Sequence, residues 1–171
     1  MFKPICIAEI GGNHEGSFDK AVKLLDLALD TPVDIIKFQT YFADTLVEKK
    51  SDPKRWAHFK KFELTLYQHC ELAKRVTDAG KIYLTSIWDY NSYEILKPYL
   101  KYVKIGSGDL TSYSFLRLAA STQKPIILST GLSNLEEITN AVNRLRGFNA
   151  VYNDRNMITL LQCTSLYPIP D

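Results

Sequence analysis

The 171-residue sequence is short of several things, and each shortage excludes a class of protein. Cysteine is scarce. Cys6, Cys70 and Cys163 are odd in number and far apart, with no CxxC pair and no Cys/His cluster. That excludes a disulfide framework and a structural zinc site, and the three read as reduced thiols of a cytoplasmic protein. No apolar run approaches membrane-spanning length. The apolar start, MFKPICIAEIGG, meets Glu9 too early to be the core of a signal peptide, so no membrane attachment is expected. Neither sign of charge is in excess: 21 Lys and Arg stand against 19 Asp and Glu, a net +2. A dedicated nucleic-acid binder carries a basic stripe. The nearest approach to one is Lys49, Lys50, Lys54, Arg55, Lys60 and Lys61; acidic and aromatic residues interrupt it, and it reads as a solvated face. Low-complexity segments are missing too. So are a GxGxxG after the first apolar run and a GxxxxGK[ST] anywhere, which sets aside dinucleotide and Walker-type sites.

What is present is ordinary globular composition, 46% hydrophobic and 23% charged, enough for one domain with a sizeable core. Six apolar runs of strand length recur: PICIAEI (4–10), VDIIKF (33–38), KIYLTSI (81–87), YVKIGS (102–107), PIILST (125–130) and MITLLQC (157–163). Continuous runs of this kind suit parallel strands buried on both faces. Helical periodicity fills the gaps. Residues 17–30 place Val22, Leu25 and Leu29 on one face, and residues 67–80 place Cys70, Ala73 and Val76 on one face before a terminal Gly80. Residues 133–147 show a capping-box pattern at Ser133 and Glu136, a stripe of Leu135, Ile138, Val142 and Leu145, and a stop at Gly147. Shorter helices are expected at 91–100 and 113–121. Residues 41–66 read as an irregular, charged and aromatic connection of the kind that serves as a lid or binding loop. The βα alternation predicts an α/β fold with a parallel sheet, and both a doubly wound open sheet and a (β/α)8 barrel fit it.

Polar residues gather where the apolar runs end. In α/β folds the carboxyl ends of the strands carry the site. Lys37 and Lys104 each interrupt an apolar run there. With Ser107, Ser129 and glycine N–H groups they make a site for a phosphate or carboxylate. Glu9 is suited to hold hydroxyls or move protons. Plainer readings stand beside these. A strand-end lysine snorkels to solvent. Gly11, Gly12, Gly106 and Gly108 serve as turn residues. His14 reads as a hydrogen-bonding loop residue, and His58 and His69 as surface positions. Trp56 and Trp88 fit the core, with Trp88 alternatively lining a sugar pocket. Two lysines together with the serines favour function over packing.

The stretches IAEIGGNHEGSFDKAVKLLDLA, IIKFQT, YVKIGSGD, KPIILSTG and LLQCTSLYP, in that order from about Ile5 to Pro168, resemble the N-acetylneuraminate (sialic acid) synthase family. That family includes legionaminate and pseudaminate synthases and spore-coat polysaccharide proteins. The resemblance implies a (β/α)8 TIM barrel, here incomplete, with six βα strands present and strands 7 and 8 missing. Residues 1–171 would be its N-terminal portion, without the C-terminal antifreeze-like domain of many members. It implies a transferase that condenses phosphoenolpyruvate with an N-acetylated amino-sugar aldehyde to a nine-carbon 2-keto acid and releases phosphate. Glu9 would contact the sugar or transfer a proton. Lys37, Ser86, Lys104, Ser107, Ser129, Ser165 and Tyr167 would bind phosphoenolpyruvate. A divalent metal, Mn2+ or Mg2+, is expected in the full-length protein, on histidines beyond Asp171, as is a homodimer. Gln162 stands where a histidine is common in the family, Ser165 where an asparagine is, and TSIWD replaces STPFD. Two other readings remain. One is a synthase of the 3-deoxy-octulosonate phosphate type, which would want arginines at the strand ends. The other is a non-catalytic remnant that keeps an anion pocket.

Overall fold

The computed structural model describes residues 4–166, and the chain divides into two units, Met1–Lys101 and Tyr102–Asp171. Each unit alternates three parallel strands with helices, the α/β arrangement expected from the apolar runs.

The first unit runs β1 (Ile7–Gly11), α1 (Phe18–Leu29), β2 (Ile35–Thr40), α2 (Ala43–Leu46), α3 (Pro53–Phe62), α4 (Leu66–Asp78), β3 (Ile82–Ile87) and α5 (Tyr90–Leu96). In register, Glu9 lies beside Lys37, Ile36 beside Tyr83 and Gln39 beside Ser86. Local chemistry sets the helix starts. The Ser17 hydroxyl accepts from the Lys20 N–H, Thr65 and Gln68 form a reciprocal capping box, and Asp89 accepts from the Ser92 N–H. Past α4, Gly80 takes φ +73, the left-handed stop expected of it. Ile36 and Phe38 of β2 and Tyr83 and Ile87 of β3 pack against Ala21 and Leu25 of α1 and Leu72, Ala73 and Val76 of α4. Each large side chain buried there is worth ~1.5–3 kcal/mol. Strand side chains alternate between faces, so Ile35, Lys37 and Gln39 of β2 and Ser86 of β3 turn to the face opposite the helices.

Two expectations are corrected in this unit. Residues 41–66 are not irregular, since they contain α2 and α3. No residue of α3 is buried, so it lacks the apolar stripe that would have announced it. It is held instead by Pro53 in its first turn, by the Asp52 carboxylate accepting from the Arg55 N–H, and by the Trp56 indole donating to Asp44 at 2.9 Å. The basic residues around it sit in solvent, Lys49 before the helix lying over the Trp56 ring at 3.8 Å and Lys60 within it bonded to Glu63 at 2.9 Å. The second correction concerns His69, which is 1% exposed and not a surface residue. The buried face of α4 is His69, Leu72, Ala73 and Val76, and Cys70 sits at its margin.

The second unit runs β4 (Val103–Ile105), a 3-10 turn at Ser107–Asp109, α6 (Tyr113–Ser121), β5 (Ile126–Ser129), α7 (Leu135–Phe148), further 3-10 turns, and β6 (Ile158–Leu161). Its core joins Ile105, Ile126 and Leu128 to Leu116 and Ala119 of α6 and to Ala141 and Leu145 of α7. Tyr152 is fully buried beneath them and donates its hydroxyl to the Lys124 carbonyl at 2.9 Å. The capping box of α7 lies one residue later than expected. Asn134 is the extended residue, its side chain accepts from the Glu137 N–H, and Glu137 returns the bond to the Asn134 N–H. Leu135 thereby becomes the first helical residue and is 81% exposed, out of the stripe assigned to it. Nor does Gly147 stop the helix, which continues to Phe148 and ends at the extended Asn149.

Candidate functional site

In the first unit the functional side chains come from β1 and β2. Lys37 is 6% exposed, and an ammonium so placed costs several kcal/mol unless it is paired. Its Nζ meets Glu9 Oε2 at 2.7 Å, an ion pair between register neighbours. The Glu9 side chain is about half exposed, so the pair opens to solvent on the carboxylate side. The β1 register slips between Glu9 and Gly11, a bulge that bends the strand end. Gly11 has φ +54, and a Cβ there would come within 3.0 Å of Glu9 Oε1 and 3.7 Å of Gln39 Nε2. The carboxylate is therefore folded over bare backbone, with the Gln39 amide beside it. Ser86 is buried on the same sheet face, level with Gln39 and so two residues beyond the level of Lys37. Trp88 is half-buried and meets Tyr41 edge-on, with ring centres 6.0 Å apart.

In the second unit Lys104, Ile127 and Ser129 turn to the face opposite the helices, because Ile105, Ile126 and Leu128 take the helix side. Lys104 Nζ donates to Ser129 Oγ and to the Ile105 carbonyl, both at 2.7 Å. The Ser107 hydroxyl, at the head of the 3-10 turn, accepts from the Gly131 N–H at 3.0 Å. A Cβ on Gly131 would lie 2.3 Å from Ser165 Oγ and 2.9 Å from Ser107 Oγ. Glycine is required there because two serine hydroxyls occupy the space a side chain would fill. Tyr167 lies outside the described residues.

Of the residues expected from the sequence, Glu9 and Lys37 are thus joined, as are Lys104 and Ser129, while Ser107 and Ser165 meet around Gly131. Gly131 itself was missed, although it closes the STG that carries Ser129. A buried cation oriented by a serine hydroxyl and a backbone carbonyl is suited to a small anion. Two imidazoles are buried in the first unit. His14 is 2% exposed, and its Nδ1 accepts from the Gly16 N–H at 3.1 Å, the hydrogen-bonding role expected of it. Burial holds His14 below the ordinary imidazole range. Burial, and then His14, push His69 down to about 4. Among the described residues no three His, Cys, Asp or Glu side chains stand together in a group able to hold a metal ion. The divalent metal implied by the resemblance therefore has no site among the described residues.

Parallel strands alternating with helices, with buried lysines and serines on the sheet face opposite the helices, define an α/β protein. The NeuB family model matches residues 24–171, and the chain belongs to that family. It is 36% identical to N,N'-diacetyllegionaminic acid synthase of Campylobacter jejuni subsp. jejuni, over 99% of this chain and 54% of that protein. It is 32% identical to the pseudaminic acid synthase of the same subspecies, over 97% of this chain and 51% of that protein. The crystal structure of N-acetylneuraminic acid (sialic acid) synthetase from Leptospira borgpetersenii, in complex with citrate, matches with a TM-score of 0.86 at 26% identity, over 99% of this chain and 57% of that one. The chain spans about half the length of the curated relatives it matches. Among the described residues no helix is long and apolar enough to cross a membrane.

Proposed function

We propose that the protein serves the condensation of phosphoenolpyruvate with an N-acetylated amino-sugar aldehyde, giving a nine-carbon 2-keto acid and inorganic phosphate. In this reading its strands are the first six of a (β/α)8 barrel. The observation that carries it is the burial of two lysine ammoniums, Lys37 at 6% and Lys104 at 8% exposure, at strand positions facing away from the helices. Fixed cations out of bulk water are what a substrate with a phosphate and a carboxylate needs for orientation. Lys37 and Lys104, with Ser86, Ser107, Ser129, Ser165 and Tyr167, are assigned to phosphoenolpyruvate.

The chemistry then runs as follows. C3 of phosphoenolpyruvate bonds to the aldehyde carbon, and the aldehyde oxygen takes a proton. C2, left oxocarbenium-like, gains a water oxygen and the water loses a proton. The tetrahedral intermediate breaks its C2–O bond, phosphate leaves, and the ketone forms. Glu9 either holds the acceptor or handles the proton at the aldehyde oxygen. Its half-exposed carboxylate, paired on one side with the Lys37 ammonium, is placed to reach a ligand on the other.

The test is phosphate release from phosphoenolpyruvate by the full-length protein, with N-acetylmannosamine and with a di-N-acetylated hexose as acceptors. Release that requires an acceptor is expected. No release with any N-acetylated amino sugar overturns the reading, and phosphoenolpyruvate bound without release would favour a binding module.

A further inference from the structure

We infer that His14 is a positioning residue: its imidazole locks the turn after β1 and so holds the Glu9 carboxylate against Lys37. The inference rests on the role proposed above for Glu9.

The Glu9 carboxylate is paired with Lys37 on one side and about half exposed. It lies over the backbone of Gly11, so its position follows that of the turn from Gly11 to Gly16. Backbone bonds shape this turn: the Asn13 N–H donates to the Ile10 carbonyl at 3.0 Å, Glu15 to Gly12 at 2.9 Å and Ser17 to His14 at 2.9 Å. The side-chain lock is His14 Nδ1, which accepts from the Gly16 N–H. That bond puts the proton of the neutral ring on Nε2. Gly16 is itself pressed on the end of α3. It has φ +80, and a Cβ there would sit 2.0 Å from the Lys61 carbonyl oxygen. One end of the turn thus abuts α3, the other carries Glu9, and His14 ties the span between them.

Packing alone does not account for this choice of residue. His14 and His69 are both buried, and His69 Nδ1 has no hydrogen-bond partner. Two leucines would fill such a space without leaving a polar atom unsatisfied. What leucine cannot supply is the acceptor for Gly16.

Three variants of the full-length protein test the inference. His14→Ala removes the acceptor. His14→Asn restores it, because Oδ1 reaches the N–H two residues on, as in an Asx turn. His14→Gln carries its acceptor too far out. We expect His14→Ala and His14→Gln to lower kcat roughly tenfold to a hundredfold, as for a displaced catalytic group. The KM for phosphoenolpyruvate should change by less than about twofold, since its ligands are untouched. His14→Asn should recover most of kcat. Amide exchange across residues 11–17 should quicken in His14→Ala and His14→Gln and slow again in His14→Asn. Should His14→Ala fail to fold, the Asn and Gln pair decides, equal kcat in the two overturning the inference. Wild-type kcat in His14→Ala overturns it as well. A wild-type protein that releases no phosphate overturns the proposed function, and this inference with it; an active wild type indifferent to residue 14 overturns this inference alone.

Discussion

Lowering the pH from 7 to 4.5 should destabilise the first unit, and His69 sets most of the amount. In the unfolded chain its imidazole takes a proton near the ordinary 6.5. In the folded unit burial, and then His14, hold it down to about 4. Between those values the unfolded state binds more protons than the folded one, so stability falls as pH falls through the window and levels off below about 4. A drop from 6.5 to about 4, at ~1.4 kcal/mol per pH unit, is worth about 3 kcal/mol, most of it spent by pH 4.5. His14, also held low by burial, acts in the same direction. Against a typical domain stability of ~5–15 kcal/mol the loss is large. Glu15, Asp44 and Glu94 are held below their ordinary range by hydrogen bonds from Lys20, Trp56 and Lys97, so whatever they contribute is also lost as pH falls and keeps the same sign. The assay is urea unfolding read by tryptophan emission, since Trp56 and Trp88 are the chain's two tryptophans and both lie in the first unit. His69→Leu should flatten the slope. Stability that stays level from pH 6.5 to 4.5 in the wild type, or an unchanged slope in His69→Leu, would refute the reasoning.

Three further outcomes are expected. Lys37→Met removes a buried ammonium and leaves Glu9 to be hydrated; urea unfolding should move by less than about 1 kcal/mol, while phosphate release falls at least roughly a hundredfold. Alanine at two glycines should act differently. At Gly131 it meets the Ser165 and Ser107 hydroxyls and, at 3.3 Å, the Cys163 Cβ, so the KM for phosphoenolpyruvate rises at a stability cost of about 1–3 kcal/mol. At Gly16 it meets the Lys61 backbone carbonyl at a positive φ and costs ~2–4 kcal/mol, measured by the same unfolding assay. Tyr152→Phe loses the hydroxyl bond to the Lys124 carbonyl and should cost ~1–2 kcal/mol, read as faster amide exchange across α6 and α7.

What was legible in the sequence, and what was not, divides along a physical line. The strands could be read because a strand buried on both faces writes its own signature, an unbroken run such as IIKF or PIIL. The two lysines could be read for the same reason. Each occupies the alternate position of a strand whose other face is committed to the helices, so a charge there has to answer to something on the opposite side. Helix α6 falls at 113–121 as expected, its Leu116, Ala119 and Ala120 making a clean stripe. The failures have different causes, some local and some set by a neighbour distant in the sequence. Helix α3 buries nothing, and only Asp52-Pro53 marked its start. His69 begins a spacing of 69, 72, 73 and 76 that marks a buried face as well as the spacing from Cys70 does; the ring was discounted as polar before the pattern was weighed. Gly131 owes its lack of a side chain to Ser165, far along the chain. The residues proposed to meet substrate stood out through the pattern of their own strand. Residues that position them are set by what another element presses against, and His14 belongs to this second kind. Its measurable contribution should therefore be to kcat through the Glu9 turn, not to the affinity for an anion held by lysines on other strands.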